Sequence, residues 1–161
     1  MERNKSTSGT KLIVENRKAY HDYHILERLE AGIELTGTEV KSLRQGRVNM
    51  GDSYAQVVNG ELFLFAMHIS PYEQGNRFNK DPLRTRRLLM HKREILRLYG
   101  QAKTEGLTLV PTKLYFKHGR VKVEVSLAKG KKSFDKREDE AGKQANREID
   151  RRLKDRGRGE D

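Results

Sequence analysis

The amino-acid sequence predicts a mainly β fold, a small antiparallel barrel with short helices and a basic C-terminal tail. Two hairpins and one further strand carry that reading. Asn59-Gly60 joins the runs 53–58 and 61–67, and His118-Gly119 joins two alternating runs inside LTLVPTKLYFKHGRVKVEVSLAKGKKSFDKR, residues 107–137. Glycine at the second central position suits the two-residue turns whose twist matches that of the flanking strands. A strand around residue 30 completes enough β-structure for a barrel. With 161 residues, the chain has room for one domain with a modest core and an appendage.

In chain order, residues 1–9 are polar and aperiodic and are read as a flexible terminus. ENRKAYHDYH, residues 15–24, predicts a short helix. His21 and His24 stand three apart on it, but no third metal ligand is in sequence reach, and they are read as ordinary histidines. In ILERLEAGIEL, residues 25–35, the apolar residues fit neither period, and Gly32 favours a bent strand. Thr36-Gly37-Thr38-Glu39 has the form of a capping box, the threonine hydroxyl meeting the amide three residues on and the glutamate reaching back. Val40 and Leu43 give its helix an apolar stripe, and Gly46 can end it in the left-handed conformation. The second strand of the first hairpin, ELFLFAM, is apolar on both faces and is therefore expected to be central. From His91 a helical pattern places Ile95, Leu98, Tyr99 and Ala102 on one face, with Gly100 a weak point. In the second hairpin a two-residue turn sets Phe116 opposite Val121 and Leu114 opposite Val123, with Val125 and Leu127 continuing the inward face. The outward face then sets Tyr115 opposite Lys122, Lys113 opposite Glu124 and Lys117 opposite Arg120.

Lys and Arg number 34 against 23 Asp and Glu, a formal net charge of +11, which points to a polyanionic partner and above all to nucleic acid. Cysteine is absent, which removes disulfides, thiolate catalysis and cysteine-ligated zinc. No apolar run approaches the roughly 18 residues that span a bilayer. The N-terminus carries no hydrophobic export signal, so the cytoplasm is the expected location. Two stretches are candidate anion sites. Lys117, Arg120 and Lys122 cluster beside Tyr115, and like charges directly opposite one another are destabilising unless an anion meets them. A solvated face of snorkelling lysines is the alternative. Between the hairpins, residues 77–97 hold eight basic residues against two acidic ones, and Arg84, Arg86 and Arg87 are read as a loop that grips phosphate bidentately.

Enzymatic motifs are lacking. AKGKKS, residues 128–133, has no earlier phosphate-loop glycine and carries Lys where Ser or Thr should follow GK. Neither G-x-S-x-G nor G-x-G-x-x-G occurs. A ribonuclease using His68, His91 or His118 stays open, because acid and base partners are assembled in space. No catalytic residue, metal or cofactor is assigned. Residues 129–161 hold twelve Lys and Arg against nine Asp and Glu, with Ala141, Ala145, Ile149 and Leu153 recurring every four residues. That thin stripe predicts a tail disordered alone and helical when bound.

The series NRKAYHDY, LTGTEVKSLRQGRVN, DSYA, NGELFLF, HISPYEQGNRFN, DPLRTRRLL, HKREI, LTLVP, LYFKHGRVKVE and AKGKKSFDKRED runs in order through nearly the whole chain. It resembles the small protein B family, the transfer-messenger RNA (tmRNA)-binding proteins of bacterial trans-translation. The resemblance implies an oligonucleotide-binding-like closed β-barrel with about three helices over residues 10–128, and a tail over 129–161. It implies capture of the tRNA-like domain of tmRNA and promotion of its alanylation, with alanyl-tRNA synthetase an indirect partner. Delivery with elongation factor Tu-GTP to a stalled 70S ribosome follows, the protein replacing the missing anticodon arm at the decoding centre. The tail would then enter the empty message channel, and the nascent peptide would be tagged for degradation. Glu30, Leu89 and Lys122 match family positions for binding the tRNA-like domain. Gly130, Asp135, Lys136 and Arg137 match the junction and tail motif used on the ribosome. Phe134 stands where Tyr or His is usual, keeping a ring that can stack and losing a polar contact; Ile149 and Leu153 complete the expected ribosomal contacts. The alternative is a general single-strand RNA-binding barrel protein of the ribosome.

Overall fold

Both hairpin turns follow from their two central residues. Asn59 and Gly60 have φ of 51° and 78°, and His118 and Gly119 have 50° and 76°. Two successive left-handed residues make the turn that suits antiparallel strands, so each ribbon's register is set locally. The computed structural model describes residues 9–159, apart from the side chains of 76–78 and 155–159. The expected flexible terminus therefore lies, except for Gly9, outside the described residues.

The strands are β1 (Thr10–Glu15), β2 (Tyr23–Ile33), β3 (Val48–Asn49), β4 (Tyr54–Val58), β5 (Glu61–Phe65), β6 (His68–Ile69), β7 (Arg86–Leu89), β8 (Thr108–Lys117) and β9 (Arg120–Gly130). The helices are α1 (Arg17–Asp22), α2 (Gly37–Arg44), α3 (Lys92–Glu105) and α4 (Ser133–Gly159), with a 3-10 segment over Glu73–Phe78. The fold is mainly β, with four α-helices among the described residues: α1, α2 and α3 fall within residues 10–128, where the resemblance implies about three, and α4 lies in the tail. Seven strands are hydrogen-bonded in the order β1-β8-β4-β5-β7-β2-β9, β8 also pairs with β9, and β3 pairs with β6. All pairings are antiparallel.

The expected register of the second hairpin holds at every pair, from Leu114 opposite Val123 to Lys117 opposite Arg120. Leu114, Val123, Val125 and Leu127 are buried, and they meet Leu62 and Leu64 of β5, Leu88 of β7 and Leu98 of α3 in one core. β5 is central, between β4 and β7, as its two apolar faces require.

Helix α1 starts at Asn16, whose side chain accepts from the Ala19 amide at 3.1 Å and donates to the Pro111 carbonyl at 2.9 Å. One buried residue thus caps the helix and fastens it to β8. The α2 capping box forms: the Glu39 amide donates to Thr36 Oγ1 at 3.4 Å, and the Thr36 amide to Glu39 Oε1 at 2.9 Å. Leu43 is buried, Val40 half-buried, and Gly46 follows with φ of 71°.

Three expectations are corrected. The irregularity in β2 falls between Ile25 and Glu27, leaving Leu26 exposed, and not at Gly32, which sits in regular register. A Cβ at Gly32 would lie 3.2 Å from Leu89 Cβ, so Leu89 would have to give by a few tenths of an ångström to admit one. Tyr99 does not join Ile95 and Leu98 inside, since it is 45% exposed. Arg86 and Arg87 lie on a strand, not a loop, with consequences taken up below.

The β-rich unit runs to Gly130, and the residues from Lys131 form a second unit. Within that unit α4 is one continuous helix, and Phe134, Ile149 and Leu153 are exposed along it. Near its start the Asp135 carboxylate accepts from the Lys132 amide at 3.2 Å, and Lys131 pairs with Asp139.

Candidate nucleic-acid interface

Cross-strand register assembles the surface patch from residues far apart in sequence. Gly32 of β2 is opposite both Leu89 of β7 and Lys122 of β9, Lys122 is opposite Tyr115 of β8, and Tyr115 is opposite Leu12 of β1. The row Leu89–Gly32–Lys122–Tyr115–Leu12 therefore crosses five strands on one outward face. Glu30, one outward position along β2, joins it: Tyr115 donates its hydroxyl hydrogen to Glu30 Oε2 at 2.5 Å, and Lys117 Nζ lies 3.3 Å from the same oxygen. Leu89 is 45% exposed, although it is a large aliphatic residue in a strand.

These contacts set the charge state of the patch. The hydrogen bond from Tyr115, with those from Lys117 and the nearby charges of Lys117 and Lys122, holds the Glu30 carboxyl below its ordinary value despite partial burial. Burial, and then the bond to Glu30, push the Tyr115 hydroxyl up, so it stays a donor. The like-charge pair Lys117 and Arg120 has its answer partly within the fold, since Glu30 reaches across from the neighbouring strand. Lys122 and the exposed Arg120 have no hydrogen-bonded carboxylate of that kind among the contacts described. The face thus offers cations, the oriented carboxylate of Glu30 with Glu124 opposite it accepting from Thr112, a tyrosine ring and an exposed leucine. Cations meet phosphates, whereas a carboxylate can accept only from donors such as base amino groups or a ribose hydroxyl.

The arginine cluster behaves otherwise. Arg86 has no solvent exposure. Its Nε donates to Glu39 Oε2 at 2.7 Å, Nη1 to the Met67 carbonyl at 2.7 Å and Nη2 to the Pro82 carbonyl at 3.1 Å. It cannot reach a phosphate, and its expected place in the RNA site is withdrawn. Arg84 is half-buried against the same carboxylate, 2.5 Å from Glu39 Oε1. Burial raises the Glu39 pKa, but the hydrogen bonds from Arg84, the Thr36 amide and Arg86 outweigh it, and the net shift is downward. The reason is strand alternation: Arg86 and Leu88 face inward, Arg87 and Leu89 outward. Arg87 is the exposed member, within 3.2 Å of Glu61 and 3.5 Å of Glu34. Residue type alone concealed this split, and the alternation in RTRRLL was the signal that could have shown it.

Gly130 ends β9, and with it the β-rich unit, opposite Tyr23, while in the second unit Phe134, Asp135, Lys136 and Arg137 occupy the first turns of α4. Ile149 and Leu153 share a face by their four-residue spacing.

The sequence model of the SmpB protein family matches residues 13–155. The chain belongs to this family. It is 66% identical over 144 residues to the SsrA-binding protein of Carboxydothermus hydrogenoformans, covering 89% of this chain and 97% of that one. The SsrA-binding protein of Pelotomaculum thermopropionicum is 62% identical over 150 residues, covering 93% of this chain and 98% of the relative. Among solved structures, a chain described as "tmRNA-SmpB: a journey to the center of the bacterial ribosome" aligns with TM-score 0.64 and 53% identity, over 78% of this chain and 92% of that one.

Proposed function

We propose that this SmpB-family chain binds transfer-messenger RNA and serves trans-translation, capturing the tRNA-like domain on the outward row of β7, β2, β9 and β8. The observation that carries this reading is the gathering of Glu30, Leu89 and Lys122 around Gly32 on one exposed face, from three strands. Lys122 and Arg120 supply the phosphate contacts, Leu89 and Tyr115 the apolar and stacking surface, and Glu30 an acceptor. Arg87 extends the basic surface from β7. The net charge and the printed names of the relatives support the same partner. The extra β8–β9 pairing supports reading the sheet as a closed, oligonucleotide-binding-like barrel.

On this reading the bound protein promotes alanylation of the RNA, travels with elongation factor Tu-GTP, and replaces an anticodon arm at the decoding centre, all in the cytoplasm. No helix among the described residues is long and apolar enough to cross a membrane. On the ribosome Gly130, Phe134, Asp135, Lys136, Arg137, Ile149 and Leu153 make the contacts, and covering the exposed stripe of α4 stabilises a helix that is marginal in water without buried apolar surface. Sequencing the RNA that copurifies with the chain tests the proposal. One dominant species with a tRNA-like end is expected, whereas a broad mixture of single strands would replace this reading by that of a general RNA-binding protein.

A further inference from the structure

The outer face of the β4–β5 hairpin carries aromatic surface used neither by the core nor by the row described above. Tyr54 is 44% exposed and stacks on Phe65, with ring centroids 5.2 Å apart and planes 14° apart. Phe63 tilts against Phe65 at 6.5 Å. Facing the hairpin, α3 presents Tyr99, 45% exposed, with Lys103 Nζ 5.8 Å from its ring centroid. A cleft of about 340 Å³ lies between, lined by Tyr54, Gln56, Tyr99, Ala102, Lys103 and Thr108 among others. Among the described residues, no Asp or Glu lines it.

Lys103 lies over the Tyr99 ring as a favourable pair four residues apart on α3, and the two tyrosines bring aromatic surface to the cleft from separate elements. The chemistry narrows the occupant. Ala55, Val57, Ala102, Leu107 and Leu109 make half of the lining aliphatic, but an apolar helix or peptide would leave the Gln56 amide, the Thr108 hydroxyl and the Lys103 cation unmet. A nucleobase has a π-face for a tyrosine ring, an edge for the Gln56 amide and a phosphate for Lys103. Duplex RNA hides its base faces, so the ligand must be unpaired. The formal charge of +11 favours the same polyanion.

We infer that the Tyr54–Tyr99 cleft binds an unpaired RNA nucleotide, its base stacked against the tyrosine rings and its phosphate directed to Lys103. No residue of the cleft belongs to the Leu89–Gly32–Lys122–Tyr115 row, and β8, the one strand they share, gives Thr108 to the cleft and Tyr115 to the row, so the inference stands whether or not that row captures tmRNA.

The test uses the full chain and a short oligoadenylate carrying 2-aminopurine, read by anisotropy and by quenching, which reports stacking. Wild-type protein should quench the probe. Tyr54→Leu with Tyr99→Leu should weaken binding about tenfold or more and abolish quenching, since one stacked base is worth roughly that factor. Tyr54→Phe with Tyr99→Phe should retain both signals, and Lys103→Gln should reduce the salt slope by up to about one unit. Arg44→Gln, at an exposed arginine of α2 that lines neither the cleft nor the row, should leave binding and quenching of this probe unchanged. The inference is overturned if the leucine variant quenches like wild type, or if Lys122→Ala abolishes quenching and so places the probe on the other face. Should the leucine variant unfold, Lys103→Gln on the exposed helix surface decides, and an unchanged salt slope sinks the assignment.

Discussion

Replacing Glu39 by Ala should unfold this protein more readily than any change on the outward row of β7, β2, β9 and β8. The carboxylate is 6% exposed and sits between Arg84 at 2.5 Å and Arg86 at 2.7 Å, while accepting the Thr36 amide at 2.9 Å. Its removal leaves the Arg86 guanidinium wholly buried with only carbonyl partners. Breaking a buried pair by deleting one partner costs about 3–5 kcal/mol, and loss of the capping box adds up to roughly 1 kcal/mol. For a chain of this size each kcal/mol moves Tm by about 2–4 °C, so the midpoint should fall by about 6–24 °C. Thermal and urea melts followed by circular dichroism measure this, and the urea m-value should not change. Replacing both members, Glu39→Leu with Arg86→Met, should restore most of the loss, because neither charge is then buried alone. The pH dependence carries the same signature. Glu39 has a depressed pKa in the fold, so its contribution is fully present above the unfolded carboxyl value of about 4.3 and is lost as pH falls through the folded value. Wild type should therefore lose stability in acid more steeply than Glu39→Ala. A loss below about 1 kcal/mol, the range of an exposed pair, would show that the Glu39–Arg86 pair is hydrated and the reasoning wrong.

Four further outcomes are expected. Lys122→Ala should weaken tmRNA capture at unchanged Tm, since the side chain points away from Val121 and Val123; a large fall in Tm would mean that it serves the fold. Arg87→Ala should lower the slope of log affinity against log salt by up to about one unit, as the loss of one phosphate contact requires, and an unchanged slope would confine Arg87 to its pairs with Glu34 and Glu61. Tyr115→Phe should raise the Glu30 pKa toward its ordinary value by removing its hydroxyl donor, measurable by carboxyl NMR titration, and no rise would deny that the bond controls that charge. Deleting residues 131–161 should spare the β-rich unit and tmRNA affinity while abolishing peptide tagging, and Ile149→Asp with Leu153→Asp should mimic it; loss of RNA capture on deletion would put the tail in the RNA site.

Local chemistry made much of the fold legible in the sequence. Asn59-Gly60 and His118-Gly119 select left-handed turns, and a turn of known length registers its strands, so every pair from Leu114–Val123 to Lys117–Arg120 was readable in advance. The α2 capping box spans four residues and needs nothing beyond them. The family resemblance, carried by a long ordered series of motifs, pointed to Glu30, Leu89 and Lys122 without saying why they belong together. Tertiary pairing supplies that reason, because Gly32 lies between Leu89 and Lys122 in a ladder whose strands are distant in sequence. It also reversed the reading of the arginines. Charge density treats Arg84, Arg86 and Arg87 alike, but a guanidinium can be buried once a carboxylate and carbonyls meet it, and Glu39 lies 47 residues away. Side-chain type and spacing carry information about turns, caps and periodicity, which are interactions between near neighbours. Which charge faces water depends on partners brought by other strands, and only the folded sheet decides that.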